Sequence, residues 1–197
     1  MAVSIASAPA APVQRPRVLV IASGFAAVAT GMYFFSLLGV YMTLRSQAVR
    51  NGLVWIPPEV KIPLTQPNIM MFTLIMSVVT MQWAVWAIKN DDRFNAYLAL
   101  LVTLVLGFCF INMAAYMYTV MGFDIATSKV AVLVYAITGS HVLMVVAAMV
   151  FVMLMAFRAL GGQFTSRQHD GISAAALFWH ANVAVFFLIY LVIYITK

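Results

Sequence analysis

The chain has 197 residues, 65% of them hydrophobic and 8% charged, with a formal net charge of +6. A soluble domain carries roughly 25% charged residues, and a membrane β-barrel shows alternating segments of about ten residues rather than long apolar runs. Both classes are excluded. The eleven Lys and Arg are spread over every loop, so they read as membrane-interface anchors and topology signals rather than as a nucleic-acid surface.

The predicted fold class is all-α, a polytopic membrane bundle of five transmembrane helices. Residues 1–17 are rich in Ala and Pro and read as a disordered tail ahead of a membrane domain over 18–197. The tail's arginines follow rather than precede any apolar stretch, which is the wrong order for a cleaved signal peptide. The first helix is expected over about 18–44, where Gly24, Gly31 and Gly39 allow close helix approach and Thr30 and Ser36 can bond back to their own helix. In Arg45–Pro67, Pro57, Pro58, Pro63 and Pro67 exclude a helix, and Trp55 suits a membrane interface.

The second helix is expected over about 68–88 with Asn68 as its N-cap, and the charged turn Lys89–Arg93 sends the third back antiparallel over about 95–120. That third helix carries a Tyr116/Tyr118 belt and the sole cysteine, Cys109, which is expected to be a buried, inert thiol with no partner for a disulfide. The fourth helix, about 129–157, holds His141, and Arg158–Ile172 forms a polar turn. The fifth, about 173–196, contains the apolar run Ala174–Ile195, whose only strongly polar side chains are His180 and Asn182. At about 1.5 Å per residue that run spans about 33 Å, enough for a hydrocarbon core of about 30 Å.

Five spans place the termini on opposite sides. Arg15, Arg17, Lys89, Arg93, Arg158 and Arg167 fall on one side, against Arg45, Arg50, Lys61, Lys129 and Lys197 on the other. The excess, narrow as it is, points to an N-terminus in the cytoplasm and the Lys197 end outside.

All five carboxylates, Glu59, Asp91, Asp92, Asp124 and Asp170, fall in predicted loops. Pumps and ion-coupled carriers keep ionisable groups at depth, so their lack in the spans argues against an autonomous pump or carrier. Helix rise places His141, His180, Gln82 and Asn182 at similar depth, roughly 9–12 Å from the inner surface. Three readings of this layer stay open. The first is interhelical hydrogen bonding by neutral side chains. The second is a haem b held by His141 and His180, as in the membrane anchor of a respiratory dehydrogenase. The third is a zinc or copper site, which two histidines without a nearby acid or thiol leave short of ligands.

Thr138-Gly139-Ser140-His141 in the fourth helix, Phe178-Trp179-His180 in the fifth and the ending Val192-Ile193-Tyr194 resemble subunit III of haem–copper oxidases. Tyr41-Met42-Thr43-Leu44-Arg45 extends the resemblance to the first helix, so it runs over about Val18–Lys197. The match is to the five-helix bacterial short form, which lacks two N-terminal helices of the long form. The chain departs from the family where intramembrane acids or a second histidine are usual, with Thr30, Ala114, Met144 and Val183 at those positions.

The resemblance implies an accessory subunit of an oxidoreductase complex in the bacterial cytoplasmic membrane. Its partners would be oxidase subunits I and II and membrane lipids, with no nucleic acid. It would bind no haem or metal and carry no catalytic residues, with haem and copper in the partner subunits. Gln82, His141, Trp179, His180 and Asn182 would form a structural polar layer, and the subunit's role would be to support assembly, stability and proton uptake. A small carrier or channel is the remaining rival from another class.

Overall fold

The computed structural model describes residues 17–56, 62–122 and 129–196. The expected tail 1–17 lies outside the described residues except for Arg17, as do Pro57, Pro58, Glu59, Asp124 and Lys197. Five helices follow one another: α1 Val18–Arg50, α2 Thr65–Lys89, α3 Arg93–Met121, α4 Lys129–Leu160 and α5 Asp170–Ile189. α5 runs without a break into a π-helical segment, Tyr190–Ile195, closed by the Thr196 N–H donating to the Leu191 carbonyl at 3.1 Å. No strand occurs among the described residues. All five helices are long and apolar enough to cross a bilayer, making this a multi-pass membrane protein with an all-α bundle.

Every helix outruns its apolar core at one end or both. α1 continues six residues past Leu44 to Arg50, because Ser46, Gln47, Ala48 and Val49 lose hydropathy without breaking helical geometry. α2 starts at Thr65, not Asn68. Pro67 therefore sits in its first turn, where a missing N–H has no intrahelical partner to lose. Asn68 is consequently no cap; its Oδ1 instead accepts from the Tyr190 hydroxyl at 2.6 Å. α3 begins at Arg93 because Asp92 caps it, its side chain accepting from the Asn95 N–H at 3.2 Å. α5 begins at Asp170, a carboxylate in the first turn, where the helix dipole favours negative charge.

α5 is the hub. It packs against α1, α2 and α4, while α2 pairs with α3, and α3 with α4. Two glycines set the tightest approaches. A Cβ on Gly107 of α3 would lie 2.8 Å from Met149 Sδ and 3.0 Å from Trp179 Cη2, so its bare backbone admits side chains of α4 and α5 together. A Cβ on Gly171 would lie 2.8 Å from both Met155 Sδ and Phe164 Cζ, which holds the start of α5 under the α4–α5 turn. On that same side, the Ser166 N–H donates to the Asp91 carboxylate at 2.7 Å and ties the α2–α3 turn to the α4–α5 turn.

Candidate functional site

His141 lies in the middle of the bundle, 1% exposed. Its Nε2 is 3.0 Å from the backbone carbonyl of Asn182. A carbonyl only accepts, so Nε2 carries the proton and donates, leaving Nδ1 as the ring's acceptor. Three phenylalanines enclose the ring: Phe34 of α1 at 5.8 Å, Phe110 of α3 at 5.6 Å and Phe186 of α5 at 5.3 Å between centroids. One histidine from α4 thus joins four helices, with its Nε2 turned to α5 and aromatic rings of α1, α3 and α5 around it.

Trp179, also 1% exposed, forms the second junction. Its indole N–H donates to Ser77 Oγ on α2 at 3.0 Å, and Ser77 donates onward to the Leu74 carbonyl at 2.6 Å. His180 is half-buried, and its Nε2 is buried without a hydrogen-bond partner among the described residues. Asn182 is 2% exposed, and its side-chain amide donates to the Phe178 carbonyl one turn back at 2.9 Å. Among the described residues, no three His, Cys, Asp or Glu side chains come together in a metal-binding group.

Residues 18–197 match the family model described as Cytochrome c oxidase subunit III. The chain belongs to the cytochrome c oxidase subunit III family. It is similar to a Cytochrome c oxidase subunit 3 of Strongylocentrotus purpuratus, 33% identical over 150 residues, which is 75% of this chain and 57% of the relative. A Probable cytochrome c oxidase subunit 3 of Rickettsia conorii is 32% identical over 151 residues, 75% of this chain and 53% of the relative. One from Spodoptera frugiperda is 33% identical over 132 residues, 67% of this chain and 90% of the relative. The chain spans a little over half the length of the first two of these relatives.

In this subunit III family member the expected polar layer is only partly assembled. His141, Trp179 and Asn182 are inside and His180 is at the margin, but Gln82 is exposed on the outer face of α2. Met81, Ala84, Val85 and Ile88 take the inward positions of that helix, which leaves Gln82 on its outer side. Cys109 is also exposed rather than buried. α3 turns Gly107 and Phe110 inward, which leaves Phe108 and Cys109 on the outside. The tyrosine belt divides in the same way. Tyr116 faces outward, while Tyr118 turns in and donates to Thr138 Oγ1 at 3.0 Å.

Thr30, Ala114 and Val183 meet only groups of the bundle itself. Thr30 bonds back to the Ala26 carbonyl at 2.8 Å, and Ala114 and Val183 are buried among apolar neighbours. Other links had no counterpart in the sequence reading. Thr80 and Thr103 share a hydrogen bond of 2.7 Å between α2 and α3. Tyr97 donates to the Ala159 carbonyl at 3.0 Å, and the Trp55 indole donates to the Tyr41 hydroxyl at 3.1 Å. Only aromatic residues with a polar tip near a helix end hint at the last two.

Proposed function

We propose that this chain is a non-catalytic membrane subunit of a haem–copper terminal oxidase in aerobic respiration. It packs beside subunits I and II in the bacterial cytoplasmic membrane and supports assembly, lipid binding, stability and proton uptake of the catalytic subunit. The observation that carries this reading is the family match over the whole bundle, residues 18–197. The chain itself holds no haem or metal, and haem and copper belong to its partners. One feature supports that part: the protonated Nε2 of His141 is spent on the Asn182 carbonyl inside a phenylalanine cage. The N-terminus lies in the cytoplasm and the other end outside, in line with the excess of basic residues on the N-terminal side.

Affinity purification of the tagged chain from native membranes in mild detergent tests the reading. It should bring down haem-bearing partner chains, and the chain separated from them should show no Soret band. A stable, monodisperse chain with no haem-bearing partner would refute it, and a Soret band on the isolated chain would favour the dehydrogenase-anchor alternative.

A further inference from the structure

On the outer face of the bundle, an open groove of about 550 Å³ lies between α2 and α3. Gln66, Ile69, Cys109, Asn112, Met113 and Tyr116 line it. Ile69 and Tyr116 are 46% and 56% exposed, and Cys109 and Asn112 are exposed as well. Cys109 and Asn112 are neighbours on one face of α3, with Tyr116 a turn further on. Small side chains on such a face let another helix come close.

The depth of Asn112 decides what can cover it. α3 has 29 residues, about 43 Å at about 1.5 Å per residue. A hydrocarbon core of about 30 Å centred on it leaves about 7 Å of helix beyond each surface. Asn112 is about 13 Å short of the Met121 end, which puts it about 7 Å inside the hydrocarbon. Lipid tails offer no hydrogen bond there, and asparagine is too short to reach the head groups. An amide left in hydrocarbon is costly, and polar side chains within spans face other helices or a water-filled cavity. Gln66, in the first turn of α2, adds a second unmet group, its Oε1 being buried without a hydrogen-bond partner. A hollow set against its own copy would meet another hollow, whereas a convex helix fills it.

We propose that the α2–α3 groove seats a transmembrane helix of a different chain, which presents an amide or hydroxyl side chain to Asn112. An amide both donates and accepts, so either group on the partner satisfies it. Any membrane complex that buries this face would do the same, so the groove does not depend on the haem–copper assignment.

The test places a photoreactive residue at the position of Ile69, and in a second variant at that of Tyr116, and activates it in native membranes before solubilisation. Mass spectrometry should find adducts to a transmembrane peptide of another chain. The two positions are on different helices, so one suffices where the other variant fails to accumulate. Asn112→Leu should leave the thermal midpoint of the separated chain unchanged, because the residue is exposed. It should lower the amount of the cross-linked chain retained through detergent washing about 3- to 20-fold, the effect of one interhelical hydrogen bond. Adducts only to lipid, to a small membrane-soluble molecule or to a second copy would overturn the proposal, as would retention untouched by Asn112→Leu. Haem in the purified complex is read separately. A helix adduct in a complex without haem would refute the oxidase reading and leave this surface standing, and haem with only lipid adducts would do the reverse.

Discussion

The first and last helices are close in hydropathy, with mean values of 1.9 and 2.1 over their most apolar windows, but differ in how much of them is covered. Of the α1 window 17% is buried, and of the α5 window 44%. Apolarity cannot account for the gap, because lipid tails are as apolar as leucine and give no net drive for one helix to seek another. What α5 has is a run of buried small residues, Ala174, Ala175 and Ala176, followed by a large anchor, Trp179, with a hydrogen-bond partner on α2. α1 has glycines too, but a Cβ at Gly31 or Gly39 would meet nothing within 4 Å. Its hydroxyls Thr30, Ser36 and Thr43 are all spent on carbonyls of α1 itself. Small residues permit close approach; a large side chain or a polar link across the gap makes use of it.

The largest effect expected from this contrast is at Trp179. Trp179→Ala removes the indole from the Gly107 notch and its bond to Ser77, and should cost about 3–5 kcal/mol of unfolding free energy in detergent. Phe25→Ala on the outer face of α1, where the ring is 74% exposed, is the matched control and should change little. Equal losses at the two positions would mean that burial within this chain does not decide its stability.

His141 sharpens the comparison, because α1 contributes a ring, Phe34, to its surroundings. His141→Phe keeps an aromatic ring in the cage but deletes the donor to the Asn182 carbonyl. The expected cost is about 0.6–2 kcal/mol, the range for an interhelical hydrogen bond. A variant as stable as the parent would show that packing on the three phenylalanines, not the hydrogen bond, joins α4 to α5.

The tie between the two turns should respond to pH. Hydrogen bonds from Ser166, its side chain first and its backbone N–H second, hold the Asp91 carboxyl below the usual aspartate value. A depressed value means that the tie stabilises the fold above the unfolded aspartate value of about 3.9 and is lost as pH falls through the lower folded one. Asp91→Asn suits the test because asparagine tolerates the left-handed backbone there, φ 57°. The difference in thermal midpoint between parent and variant should be present at pH 7 and close as the solution is acidified below about pH 4. A difference that widens on acidification would reverse the assignment. Asp91 is exposed, so the effect should be smaller than at His141.

The same contrast separates what could be read in the sequence from what could not. The number and order of helices were legible, because a bilayer demands about 20 apolar residues per crossing and the chain supplies five such runs. Their ends were not. Hydropathy marks the edge of the membrane, whereas Gln47–Arg50, Arg158–Leu160 and Asp170–Ile172 continue the helices beyond it. Which way each helix faces was not legible either. Counting residues put Gln82 level with the histidines, but a helix apolar all round gives no sign of which side turns inward, and Gln82 and Cys109 both face out. The partner of His141 was out of reach for another reason. Asn182 stands out for its side chain, but the contact is to its backbone carbonyl, a group every residue has. Ser77, which receives the Trp179 indole, looks like any hydroxyl that bonds back to its own helix.

The smallest expected effect is the sharpest test of how the two helices differ. Gly31→Ala adds a Cβ that meets nothing within 4 Å, so the chain on its own should unfold at the parent's midpoint. Gly107→Ala adds the same methyl where Met149 Sδ lies 2.8 Å and Trp179 Cη2 3.0 Å away. There the Met149 side chain must move or the indole must back out of its notch, with loss of stability typical of an overpacked core, about 1–3 kcal/mol. The chemical change is identical, so any difference belongs to the surroundings. If Gly31→Ala proved as costly as Gly107→Ala in the isolated chain, the face of α1 bearing Gly31 would have to be packed within this bundle. If instead the cost of Gly31→Ala appeared only when co-purifying chains were present, the cover over that face would come from them, and the low burial of α1 would reflect a surface completed by another subunit.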